Sequence, residues 1–170
     1  MNYTLSKSEF FNEKKQTYVA SSMDARHVLN ITMTQELPNN WQIGIKGRFQ
    51  SGLPYTPYDL AASTNIANWN PTNGGIKNYE YLNQQRLASN FGLDFRIDKT
   101  FILKNSSVKV YADLKEVFRS SVSGPAFLAI QKDKNGLPKI DTVNPNQYEV
   151  ALLPNELSSF IPTLGIDFQF

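Results

Sequence analysis

The chain has 170 residues, with 17 Lys and Arg against 15 Asp and Glu, a single histidine and no cysteine. This balance of charge does not favour nucleic-acid binding. The lack of cysteine excludes disulfides and thiolate metal sites, and the lone His27 excludes a histidine-rich site. We therefore expect no metal, no cofactor and no nucleic-acid partner.

Alternation of apolar and polar residues with a period of two dominates the chain and predicts about six β-strands. In chain order the predicted strands are residues 2–7, 27–37, 41–50, 91–98, 108–115 and 164–170. The clearest is 41–50, where Trp41, Ile43 and Ile45 alternate with polar residues or glycine. No stretch approaches the ~20 apolar residues of a membrane-spanning helix.

The connections alternate strictly between short and long. Tight turns are predicted at 38–40 and 104–106, where the residues suit turn geometry. The remaining connections run over residues 8–23, 51–89 and 119–159. Structureless loops of this length argue against a compact soluble domain. They are typical of outer-membrane barrels, which have short periplasmic turns and long extracellular loops.

A soluble sheet with one buried face would alternate in the same way, so alternation does not decide the environment. The longest predicted strands, 27–37 and 41–50, have about ten residues, which suits a tilted bilayer crossing better than a soluble strand. Aromatic residues lie toward both ends of the strands and aliphatic residues lie between them, as in a lipid-facing surface. The aromatic residues are Trp41, Phe101, Phe168 and Phe170 at the short-turn edge, and Phe49 and Phe91 at the other. We therefore predict an all-β fold, a segment of an antiparallel transmembrane β-barrel.

Residues 163–170 resemble the C-terminal signal that the barrel assembly machinery recognises. The signal positions that this resemblance implies are Thr163, Gly165, Phe168 and Phe170. Further motifs resemble the C-terminal barrel segment of TonB-dependent receptors, particularly those of the Bacteroidota. They are YTLSK at 3–7, DARH at 24–27, SGLPYTP at 51–57, LDFRIDK at 93–99 and VYADL at 110–114. One departure is KEVFR at 115–119, where the family pattern leads us to expect an Asn-rich strand end.

The resemblance implies a 22-stranded barrel that is filled by an N-terminal plug domain. Its partners would be outer-membrane lipid, the plug and the rest of the barrel, the TonB complex and the barrel assembly machinery. Eight strands are the practical minimum for such a barrel. We therefore expect residues 1–170 to be the C-terminal part of the barrel domain, without its plug and earlier strands. Because the first residues do not form a signal peptide, residue 1 is not expected to be the natural start.

Two groups of residues invite a catalytic interpretation, but for both we favour a structural role. Asp94 and Asp98 share one strand face but lie ~13–14 Å apart along it, beyond the ~5–9.5 Å of paired glycosidase carboxylates. We expect them to line the lumen, with Arg96 as the charged neighbour. Asp24, Arg26 and His27 are expected to form hydrogen bonds at the rim of the barrel, since a lone histidine is often structural.

Ligand-binding residues cannot be fixed from the sequence. The weak candidates are five loop aromatics, Tyr55, Tyr58, Trp69, Tyr79 and Tyr81, which could stack on a sugar or peptide. Packing within the loop itself is the favoured alternative. The expected function is import of a scarce or large ligand of the glycan, siderophore or peptide class, with no catalytic residue. The alternatives are an outer-membrane enzyme with a rim site and a soluble β-sandwich binding module.

Overall fold

The computed structural model describes residues 1–69, 74–119, 122–157 and 160–170. The strands in chain order are β1 (Asn2–Leu5), β2 (Glu9–Asn12), β3 (Thr17–Ala20), β4 (His27–Leu37), β5 (Trp41–Gln50), β6 (Pro54–Tyr55), β7 (Gln85–Arg86), β8 (Asn90–Ile102), β9 (Ser107–Arg119), β10 (Val122–Ile130), β11 (Val150–Leu157) and β12 (Ile161–Gln169). A short helix α1 (Leu60–Thr64) and two 3₁₀ turns, Ile66–Asn68 and Tyr79–Tyr81, lie between β6 and β7. No helix in the described ranges is long and apolar enough to cross a membrane.

The main element is a six-stranded antiparallel sheet with the strand order β1-β4-β5-β8-β9-β12. Each strand pairs with the strands before and after it in this list, and every pairing is antiparallel. The prediction of an all-β fold with six principal strands is therefore confirmed. In the described part of the chain, β1 and β12 are not paired with each other, so the sheet is open.

Short turns join the strands at one end of the sheet. The turn between β4 and β5 brings Leu37 opposite Trp41 and places Asn39 and Asn40 at φ values of 62° and 58°. Asparagine tolerates this left-handed conformation better than other residues with a side chain. The turn between β8 and β9 and the last residues of β12 lie at the same end of the sheet, where Gln169 pairs with Ser107. All three long connections therefore leave from the opposite end of the sheet.

The register gives the sheet one apolar and one polar face. On the apolar face Met33, Ile45 and Phe95 lie side by side on three neighbouring strands. On the polar face Lys46 is opposite Asp94. Because successive side chains of a strand point to opposite faces, the same division continues along most of each long strand of this sheet.

Neither face is covered by a second layer in the described part of the chain. The accessible surface is 11997 Å², whereas a compact monomer of this mass, 19.3 kDa, would expose about 8,500 Å². Apart from Pro54 and glycines, only two apolar residues among those described are buried, Val19 and Leu128. Both belong to the long connections, so the main sheet has no hydrophobic core of its own.

The expectation of structureless long connections is wrong, because each of the three contains a two-stranded antiparallel sheet. The pairs are β2 with β3, β6 with β7 and β10 with β11. The helix and turns of residues 51–89 begin at Asp59, Asn65 and Asn78, whose side chains accept backbone N–H bonds. Such caps depend on single polar residues, so no hydrophobic periodicity announces them.

The strand β9 contains a bulge at the point where the sequence departs from the family pattern. Pairing shifts between Leu93–Phe118 and Phe95–Leu114. Glu116 lies in the shifted segment with a φ of 60°, a conformation that Asn adopts more readily than Glu. The local geometry of residues 115–119 is therefore irregular, and β8 and β9, at 13 residues each, are longer than predicted.

We predict that Gly52→Ala opens the base of the connection 51–89. A Cβ at position 52 would lie 2.6 Å from the carbonyl carbon of Leu87 and closer still to its oxygen. Backbone cannot rotate away as a side chain can, so the Leu87 N–H bond to Leu53, 2.9 Å long, should weaken. The measurement is hydrogen exchange, which should become faster at Leu87. Gly47→Ala is the control, since its Cβ meets only Leu93 at 3.9 Å. Equal exchange in both variants would contradict the prediction.

Candidate functional site

The polar face of the main sheet carries an ion-paired cluster near the long connections. The Nη2 atom of Arg48 on β5 lies 3.0 Å from Oδ1 of Asp94 on β8 and 2.8 Å from Oε1 of Glu116 on β9. The backbone N–H of Glu116 also donates to Asp94, at 2.9 Å. One guanidinium therefore links three strands and holds the bulge of β9.

A second cluster lies on the same face, nearer the short turns. Arg96 Nη2 donates to Asp98 Oδ1 at 2.8 Å, and its Nε lies 3.1 Å from both carboxylate oxygens. Asp98 is buried, and the Arg96 guanidinium lies 4.1 Å from the ring centroid of Tyr111. The ring of Tyr111 in turn covers Gly165 on β12. Between the clusters a shallow groove is lined in part by Lys46, Asp113 and Lys115.

These contacts bear on the carboxylates considered for catalysis. Asp94 and Asp98 bind different arginines, so neither is the other's partner in acid–base chemistry. Arg96 is the neighbour of Asp98, as predicted, but Asp94 pairs with Arg48, which the sequence did not indicate. Paired charges on an open sheet face suit contact with water or with a polar ligand.

Asp24 anchors the base of the long connections. Its side chain is fully buried and accepts bonds from the Ser8 N–H at 2.7 Å, from Arg26 Nε at 2.7 Å and from Arg86. Arg86 also donates to the backbone oxygens of Asp24 and Gly52. Burial opposes the charged form, but the bonds from Ser8, Arg26 and Arg86 outweigh it and lower the pKa of Asp24 to about 2. One carboxylate thus ties together segments that are far apart in the sequence.

His27 does not join this network through its side chain. Its Nδ1 forms a 2.8 Å hydrogen bond with the Tyr3 hydroxyl, and the two rings are stacked. Asp24 and His27 therefore bond to different groups and do not form a catalytic couple in this structure. This arrangement supports the expected hydrogen-bonding role of Asp24, Arg26 and His27.

The five candidate loop aromatics differ in their surroundings. Lys77 Nζ lies 3.5 Å from the ring centroid of Tyr58, and Trp69 packs edge-on against Tyr148 at 6.3 Å. Tyr55 is half-buried in β6. Tyr79 and Tyr81 are 69% and 52% exposed. Contacts within the loops thus engage Tyr58 and Trp69, and Tyr79 and Tyr81 are the more accessible of the five.

The four residues of the proposed assembly signal lie on or beside β12. Thr163 and Gly165 pair with Asp113 and Tyr111 on the polar face. Phe168, opposite Val108, belongs to the apolar face, and Phe170 follows the end of the strand and is fully exposed. Both phenylalanines are thus open to a binding partner or to lipid.

Comparison with known proteins identifies no relative: no protein-family profile, curated protein or solved structure matches the chain. Among the described residues, no group of three or more His, Cys, Asp or Glu side chains could hold a metal ion. Function therefore has to be inferred from the two faces of the sheet and from the base of the loops.

Several site residues were missed at the sequence level. Arg86 lies 62 residues from Asp24, and Glu116 lies 68 residues from Arg48. No periodicity or short motif connects charges at such separations. The one available signal was the unusual KEVFR segment, which places Glu116 where the family pattern differs.

We predict that the Asp24 anchor loses its stabilising effect at low pH. Because its pKa falls from 3.8 to about 2 on folding, the effect is fully present above pH 4 and is lost as the pH falls toward 2. The shift corresponds to about 2 kcal/mol. In urea unfolding at pH 7, the free energy of unfolding of Asp24→Asn should be lower than that of the parent by at least this amount. The difference should become smaller as the pH falls toward 2. The exposed Glu13→Gln is the control, and an Asp24→Asn deficit independent of pH would contradict the prediction.

Proposed function

We propose that the chain is the C-terminal part of the barrel of a TonB-dependent receptor in the bacterial outer membrane. In this role it forms part of a transporter that imports a scarce or large ligand. The observation that carries the proposal is the uncovered apolar face of the main sheet. The motif resemblance at residues 3–7, 24–27, 51–57, 93–99, 110–114 and 163–170 supplies the receptor family.

A lipid environment explains why the apolar face has no protein cover. Leu164 is 83% exposed, Ile166 58% and Ile97 42%. Soluble monomers rarely expose contiguous apolar patches larger than a few hundred Å². A β-sandwich would need a second large sheet, but the long strands of the described chain belong either to this one sheet or to the two-stranded sheet of β10 and β11. This organisation speaks against the soluble binding module.

The dimensions of the apolar face support a bilayer crossing. The nine residues from Trp41 to Phe49 span about 27 Å along β5, at about 3.4 Å per residue step. At a tilt of 35–45° this length covers roughly 19–22 Å of depth, close to the ~25 Å apolar band of such barrels. Phe49 pairs with Phe91 at one end of the sheet, and Phe101 and Phe168 both pair with Val108 at the other. Aromatic residues at both ends would meet the two membrane interfaces.

The polar face would then line a wet lumen. Arg48, Asp94 and Glu116 are charged and only partly buried, and charges in hydrocarbon cost several kcal/mol. Since lipid would contact the opposite face, water or the plug domain has to contact this one. The long connections would lie on the extracellular side of the membrane, and the short turns would face the periplasm.

Transport is a better interpretation of the site than catalysis. The carboxylates of Asp24, Asp94 and Asp98 are all held by arginines, so none is free to act as an acid or base. The proposed partners are the plug and the rest of the barrel, outer-membrane lipid, the barrel assembly machinery and the TonB complex. An outer-membrane enzyme remains the competing function, and it would not depend on TonB.

Deletion of the gene and loss of the TonB complex should therefore cause the same growth defect on one nutrient. Strains lacking the gene, the TonB complex or both are grown on limiting glycans, ferric siderophores or peptides. On one nutrient we expect equal defects in the single mutants and no further defect in the double mutant. A monosaccharide that diffuses through porins is the control. Normal growth of the gene deletion on the whole panel, or defects that add, would contradict transport.

A further inference from the structure

The apolar face of the main sheet does not define how β12 aligns with β9. A shift by one residue would send the apolar side chains to the polar face, and it is therefore rejected. A shift by two residues would exchange Leu164 with Ile166 and leave the face apolar. In lipid, both alignments bury similar side chains in a similar environment. Another feature has to select the observed register.

Glycines on the polar face lie opposite planar side chains. The directly opposed pairs are Gly44 with Arg96, Gly92 with Arg48 and Gly165 with Tyr111. Cβ atoms at 44 and 92 would meet their partners at 3.7 and 3.5 Å, which are ordinary contacts. A Cβ at 165 would lie 2.6 Å from Cε1 of Tyr111 and closer to Cζ and Oη. Of these three glycines, only Gly165 therefore has no room for a side chain.

Contact with Arg96 holds the ring of Tyr111 in place over Gly165. The Arg96 guanidinium lies 4.1 Å from the ring centroid, and Arg96 is fixed by Asp98 at 2.8 Å. If the ring swung away from position 165, it would lose this cation–π contact. The contacts thus run without interruption from Asp98 through Arg96 and Tyr111 to Gly165.

We infer that Tyr111 and Gly165 form a register lock that fixes β12 on β9. In either two-residue shift the ring would face Thr163 or Asp167 and would lose the open space above a glycine. Covering of glycine by an aromatic side chain is a known way to pin strand register. The lock concerns how the sheet is built and holds whether or not the chain takes part in transport.

The lock also determines the positions of the backbone hydrogen-bond donors and acceptors along the free edge of β12. In the described part of the chain, β12 pairs only with β9. Its other edge is therefore available to a further strand. A two-residue shift would move every donor and acceptor of that edge by about 7 Å. Fixing β12 on β9 thus fixes the register of any strand that joins at this edge.

Disulfide trapping tests the lock directly, because the chain has no cysteine. Directly opposed residues lie about 4.5–5.5 Å apart, within disulfide range, whereas diagonal neighbours lie about 7–8 Å apart. The cysteine pair at Lys109 and Asp167 reports the observed register. Pairs at Ser107 with Asp167 and at Lys115 with Thr163 report the two shifted registers. Oxidation is carried out on the full chain in the cell fraction where it accumulates.

The parent should form the 109–167 disulfide and neither shifted one. Gly165→Ala and Tyr111→Val should each lose this exclusivity and form a shifted disulfide as well. Gly44→Ala is the matched control and should behave as the parent. If Gly165→Ala does not accumulate, Tyr111→Val decides the matter, because it adds no bulk. Exclusive 109–167 disulfide formation in Tyr111→Val would overturn the lock.

Discussion

The structure depends on one constraint, the strict alternation of side chains along each strand of a single-layer sheet. Because successive residues point to opposite sides, every long strand carries an apolar row and a polar row. A soluble protein satisfies this constraint by packing the apolar rows against a second layer. Here the described chain supplies no such layer, and the buried Val19 and Leu128 lie outside the main sheet. The apolar face therefore needs an apolar environment from elsewhere, which in our proposal is the bilayer.

The polar face supplies directional contacts, which the apolar face lacks. Hydrocarbon contacts are nondirectional, so they do not distinguish one aliphatic alignment from another. Directional contacts on the polar face can do so: Arg48 joins three strands, and Tyr111 fits only above a glycine. At the long-connection end, the buried Asp24 fixes the base of the loops, while Gly75 packs against Leu128 and Tyr58 farther out. The sheet and its loops are thus positioned mainly by polar and steric contacts.

The sequence predicted the main sheet well, because alternation is a local property. The strands His27–Leu37 and Trp41–Gln50 have the predicted bounds. The strands β8 and β9 were predicted too short, since the alternation is less clear around the turn and the bulge at Glu116. The strand pairs β2–β3 and β6–β7 were missed because their strands have only four and two residues. The helix α1 was missed because it is short and begins at a single capping residue, Asp59. The Asp24–Arg86 pair could not be predicted, since it joins residues that only the folded chain brings together. Placement of the sheet in a membrane rests on the pattern of its two faces.

Cysteine labelling of Ile45 and Lys46 tests the central claim most directly. These neighbours lie in mid-strand on opposite faces, with Ile45 beside Phe95 and Lys46 beside Asp94. In intact membranes, Ile45→Cys should react with a lipid-soluble maleimide and resist an aqueous one, and Lys46→Cys should behave in the reverse manner. Equal reaction of both with the aqueous reagent would contradict a lipid-facing apolar surface.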